Sequence, residues 1–241
     1  MLSDTPSSPS SVTEADRREE TDPAGLVSPA VIKPFPGVIV YPDRPAAEIQ
    51  ATSCLTSGWL EQIVCSPGTR EHEALLVTAV KPHQIHAALL LAGFQPGSPG
   101  RWFRENGVLT FISPKGDALE LFVRYPGAGG EMIEEPVRNW ISDHLGRQTF
   151  PPDPWIFAGS RFAENPSWMG PGEHYVADLT GSIIGLVTFG DEVVGFSRVL
   201  ADDSSVQKPE WEVASDRVPP LGTPVTLILR PFVPHPVPGD S

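Results

Sequence analysis

Arg70-Glu71-His72-Glu73 sets four ionisable side chains in succession, directly ahead of an apolar run, Glu73 to Val80. If these residues begin a strand, Glu71 and Glu73 point to one face and His72 to the other. Two carboxylates on one face can bind a divalent cation, or split their pKa values for acid–base work. A histidine beside an acid can serve the same metal. The bland alternative is a solvated strand start with Arg70 paired to a carboxylate. The HEXXH spacing of a zinc helix is absent, so any further ligand must come from elsewhere in the chain.

Downstream, His83 and His86 fall three residues apart, adjacent on a helix surface, where they could clamp a metal with His72 folded over the helix start. The metal set read this way is His72, Glu73 and His86. Gly159-Ser160-Arg161 lacks the G-x-S-x-G pattern, so Ser160 is a poor nucleophile candidate. Arg161 can hold a carboxylate or other anion. Asp178, ahead of Leu179-Thr180-Gly181, reads as a turn former. Trp168 sits in a Pro/Gly-rich loop (165–172), where it can cover a ligand. Arg70, Glu71, His72, Glu73, Arg161 and Trp168 are therefore the candidate ligand-binding residues.

The elements that must position these groups are mostly short strands. Val38 to Tyr41 is one, and Ala47 to Leu55 with Trp59 to Cys65 reads as a hairpin turning at Gly58. Glu73 to Val80 reads as a strand buried on both faces. Pro82 suits a first helical turn, and Ile85, Ala88, Leu89 and Ala92 form one stripe before Gly93. That segment, about 82–92, is the principal helix. Gly107 to Ile112 and Ala118 to Tyr125 read as a second hairpin. On its second strand Leu119, Leu121, Val123 and Tyr125 share a face. A short helix around Trp140, a strand over 155–162, a hairpin turning at 178–181 and a late strand over 223–232 complete the pattern.

Composition narrows the function. The 28 prolines and 22 glycines favour short elements and rigid turns. The net charge of −13, with no Lys/Arg run, argues against nucleic acid and anionic membrane surfaces as partners. No apolar stretch is long enough to span a bilayer, and no signal peptide is evident at the N-terminus. The two cysteines, Cys54 and Cys65, suit one disulfide or two buried thiols and cannot ligate an iron–sulfur cluster within one chain. Residues 1–25 carry six acids against two bases and almost no large apolar groups, the composition of a disordered tail.

Three blocks together carry a family likeness. The first is Gly58-Trp59-Leu60-Glu61 running into Thr69-Arg70-Glu71-His72-Glu73, then Pro82 and His86-Ala87-Ala88-Leu89. The second is Trp155 to Phe162 (WIFAGSRF), and the third is Tyr175-Val176-Ala177-Asp178 with Gly181. In this order, over about residues 32–195, they resemble the YdjY-domain family of bacterial proteins, common in planctomycetes. The resemblance implies an extracytoplasmic site and carries no established catalytic residue. Some members bear ferredoxin-like or iron–sulfur labels, from which this chain departs with its two cysteines.

The expected architecture is an α+β domain over 31–232, mainly antiparallel sheet with one principal helix packed on it. An acidic tail (1–30) and a proline-rich tail (233–241) flank it. The expected function is non-enzymatic binding of a small ligand or protein partner by a soluble, exported domain. The competing readings are a hydrolase assisted by a divalent metal at the 70–73 cluster and an architectural envelope protein. No cofactor is expected beyond such a metal.

Overall fold

In a computed structural model of the chain, the described residues are 31–145 and 148–234. The expected N-terminal tail lies outside them, as do residues 235–241 of the expected C-terminal tail.

Eight strands close into a barrel. In chain order they are β1 (Ala46–Ser53), β2 (Gln62–Cys65), β3 (Ala74–Val77), β4 (Ala118–Pro126), β5 (Trp155–Phe157), β6 (Ser182–Gly185), β7 (Val194–Phe196) and β8 (Pro224–Pro231). Around the barrel the order is β1-β8-β4-β5-β7-β6-β2-β3, and β3 returns to β1 through Thr52–Val77 and Ser53–Leu76. The contacts β2–β3 and β6–β7 are parallel, and the other six are antiparallel. Val38–Tyr41 adds an outer strand to β1, and Met132–Pro136 adds one to β4.

Period-two patterning fills the interior. Leu119, Leu121, Val123 and Tyr125 of β4 are buried, as are Leu227 and Leu229 of β8 and Ala47, Ile49 and Ala51 of β1. Between them Glu120, Phe122 and Arg124 take the other face of β4. The short strands β2, β6 and β7 are buried at every position. Helix α1 (Pro82–Leu91) and the one-turn α2 (Val176–Thr180) pack against each other. Ile85, Ala88, Leu89 and Ala92 of the α1 stripe join the barrel core.

The expected α+β fold, a helix on an open sheet, is thus corrected to a mostly β fold: 41% strand, 12% helical and a closed barrel of eight strands. Inward-facing alternation looks the same along one strand whether the sheet is open or closed. Closure rests on β3 pairing with both β1 and β2, a non-local event. The expected hairpin of 47–55 with 59–65 fails for the same reason, because β3 lies between β1 and β2. The second expected hairpin also changes partners. Val108–Ile112 pairs with Arg101–Glu105 across Asn106-Gly107, both at positive φ, the two-residue turn that suits strand twist. Ala118–Pro126 instead enters the barrel. The expected strand over 155–162 breaks after Phe157, where Gly159 and Ser160 adopt positive φ. The expected turn at 178–181 is α2, ended by left-handed Gly181.

Candidate functional site

The parallel register of β2 and β3 builds the site. Gln62 pairs with Ala74, so the residues just before them, Glu61 and Glu73, stand side by side at one end of the barrel. The Glu61 amide donates to the Glu73 carbonyl at 3.0 Å, and the Glu61 carbonyl accepts from the amides of Leu186 and Val187. With both backbones tied, the two carboxyl groups meet at the wall of a cleft of about 220 Å³. Trp59, Trp211, Leu200 and Val187 supply apolar walls, and Asp202 and Glu210 add acid. Trp59 is partly exposed, with its ring 4.7 Å from that of His144, which in turn contacts Glu212 at 3.1 Å.

Burial pushes the Glu61 carboxyl up to about 7; the Glu73 charge and the hydrogen bond between the two groups push the same way, while the Arg70 guanidinium opposes. The Glu61 carboxyl is therefore partly protonated near neutral pH, as burial beside a second carboxyl group favours. Arg70 donates to Glu61 at 3.2 Å and lies over the Phe189 ring at 4.0 Å.

The 70–73 cluster is only partly a site. Glu71–Glu73 forms a 3-10 turn, not a strand start, so the expected alternation of faces does not hold. The Glu71 carboxylate accepts the Gly68 amide, a bond that lowers its pKa, and so closes its own loop. His72 is largely exposed, 3.6 Å from Glu73. Glu73 lines the cleft, and Arg70 acts on it through its bond to Glu61.

The other expected residues lie elsewhere. His86 Nδ1 is 2.8 Å from the Tyr175 hydroxyl and 3.0 Å from the Gly159 carbonyl, which Tyr175 also donates to. The ring meets Phe157 edge-on, and burial lowers the His86 pKa, which favours the neutral imidazole. Its Nδ1 is thus engaged, and among the described residues no group of three His, Cys, Asp or Glu is arranged to hold a metal. Gly159 must be glycine, since a Cβ there would meet Pro96 at 2.8 Å and its φ is +85°. Ser160 Oγ donates to the Asp191 carbonyl and accepts from the Ala177 amide, a positioning role. Arg161 is exposed beside this junction, and Trp168, 72% exposed, sits on a 3-10 turn; neither lines the cleft.

Asp178 is more than a turn former. Its two oxygens take the His83 amide at 3.0 Å and His83 Nδ1 at 2.7 Å, capping the start of α1 from 95 residues away. Asp178→Ala should destabilise the fold by roughly 1–2 kcal/mol in urea denaturation, with Asp178→Asn recovering part of it.

Glu61, Trp59 and Trp211 are the cleft residues that sequence reasoning passed over as strand and packing residues. Glu61 and Glu73 each immediately precede an apolar strand, and that was the available signal. Only the parallel pairing converts it into a carboxylate pair.

No curated protein and no solved structure matched the chain. The model of the YdjY domain matches residues 46–230, from the first residue of β1 to the penultimate residue of β8, and so spans the barrel and the Glu61–Glu73 pair. The chain belongs to the YdjY-domain family.

Proposed function

We propose that the domain is a non-enzymatic binding module whose cleft takes a small organic cation. The observation that carries this reading is the Glu61–Glu73 carboxyl pair in a cleft that Trp59 and Trp211 also line. An ammonium group takes the place of the Glu61 proton and pairs with both carboxylates, while the indoles cover its alkyl part. The size of the cleft favours a ligand smaller than a drug-like molecule. The metal-hydrolase reading loses support, because His86 is engaged by Gly159 and Tyr175.

Putrescine is a suitable probe in calorimetric titration, with a neutral diol of equal length as control. A cation needs Glu61 ionised, and its carboxyl sits at about 7. Affinity should therefore rise about tenfold from pH 6 to pH 8. Glu61→Gln should weaken binding roughly tenfold at pH 8 and flatten the pH dependence. Equal binding of the diol, or no binding of putrescine at either pH, overturns the reading.

A further inference from the structure

A cavity of about 540 Å³ lies on the outer face of the barrel and shares no residue with the Glu61–Glu73 cleft. Strand register builds it. Tyr41 of the outer strand pairs with Ala46 of β1, and Leu229 of β8 pairs with Ala47, which brings Arg230 level with Ala46. Ala47 and Leu229 point inward, so Ala46, Tyr41 and Arg230 share the outer face. Tyr41 and Arg230 are then two strand spacings apart, roughly 10 Å. The methyl group of Ala46 between them fills little of that gap. Ile228, one outward position along β8 and 1% exposed, adds a second apolar floor residue.

Three arginines line this cavity, and they are not equivalent. Arg124 is fully used: both terminal nitrogens donate to Glu48, at 2.8 and 3.4 Å, and Nε donates to Glu134 at 3.0 Å. Arg230 gives NH2 to the other oxygen of Glu134 at 2.7 Å, and its guanidinium lies 4.9 Å over the Phe122 ring. Arg44 lies 4.3 Å over the Tyr41 ring and has no carboxylate partner among the described residues. Three guanidinium groups thus face two carboxylates, which leaves one positive charge over in a protein whose net charge is −13. The surplus suits an anion of one charge. A phosphate, carrying nearly two, would meet Glu48 and Glu134 without enough cations to offset them. A carboxylate matches the planar donor fork of arginine.

We propose that this cavity binds a small organic monocarboxylate. The carboxylate pairs with Arg44 and with the remaining donors of Arg230, and the apolar body rests on Ala46 and Ile228. The Tyr41 and Phe122 rings hold the two guanidinium groups in place before the ligand arrives.

The test is titration of the isotope-labelled full chain with benzoate, read from backbone amide and arginine side-chain NMR signals. Saturable shifts should centre on Arg44, Ala46 and Arg230, with a Kd of about 1 mM or below. Benzyl alcohol, which keeps the ring and lacks the charge, should bind at least tenfold more weakly, and inorganic phosphate should not displace benzoate. Arg44→Gln, at an exposed position, should weaken benzoate at least tenfold. Ala46→Leu should do the same with all three arginines kept, because the larger side chain fills the floor. The amide spectra of both variants show that they fold, and Arg44→Gln alone decides if Ala46→Leu does not. No saturable shift in the wild type, equal binding of benzyl alcohol, displacement by phosphate, or benzoate binding unchanged in either folded variant overturns the proposal.

Discussion

Trp140→Ala should lower the unfolding free energy by about 3–5 kcal/mol, one of the two largest effects expected of a single substitution here. The indole is fully buried, and its ring meets Tyr125 edge-on with centroids 5.2 Å apart. Its Nε1–H donates to Glu135 Oε1 at 3.0 Å, the oxygen that also accepts from the Tyr125 hydroxyl at 2.7 Å. Asn139 serves the other oxygen at 2.8 Å. Burial works against the Glu135 charge, but these donors outweigh it and hold the carboxyl below its usual range. Alanine would remove the ring, leave a cavity beside β4 and take one donor from a half-buried carboxylate. Trp140→Phe keeps most of the volume and should cost about half as much. Urea denaturation at pH 7 reads both. A loss under about 1 kcal/mol for alanine would mean the site collapses around the gap and the ring is not a keystone of the core.

The sequence spoke clearly where one element carries the information alone. Ile85, Ala88, Leu89 and Ala92 marked α1, and Leu119 to Tyr125 marked the inward face of β4. It was silent where two distant segments must meet. Nothing in Ala46–Ser53, Gln62–Cys65 or Ala74–Val77 announces that the third lies between the other two, yet that arrangement closes the barrel. The same arrangement creates the Glu61–Glu73 pair and sets Cys54 and Cys65 on either side of β3. The 70–73 cluster drew attention by charge density, but chemistry followed register. Glu71 and His72 turned out to be loop and surface, while Glu61, read as part of an ordinary strand, became half of the pair. Asp178 shows the same limit, since its partner His83 is 95 residues away.

Glu192→Gln should make the protein more stable at pH 8 than the wild type by up to about 3 kcal/mol, and leave the two nearly equal at pH 4.5. Glu192 is 1% exposed, and its side chain lies against Gly195, where a Cβ would come within 3.0 Å of Oε1. Its Oε2 accepts the amides of Gly190 and Asp191 at 2.8 and 3.0 Å. Burial pushes the carboxyl up to about 7; the amides oppose that rise and the Asp191 charge adds to it. The folded state therefore keeps its proton at pH values where the unfolded chain, titrating near 4.5, has released it. Below pH 4.5 both states are protonated and nothing is lost. Between 4.5 and 7 stability falls by about 1.4 kcal/mol per pH unit, and above 7 the deficit is constant. Glutamine keeps an oxygen for the two amides and carries no charge, so it removes this slope. Urea denaturation of both proteins at pH 4.5, 6 and 8 isolates the term, because every other carboxylate is common to the two. Parallel stability profiles would show that Glu192 ionises freely in the folded state and that burial at this position carries no penalty. The slope that survives in Glu192→Gln should then shrink again in Glu61→Gln, whose carboxyl is raised to about 7 by the cleft.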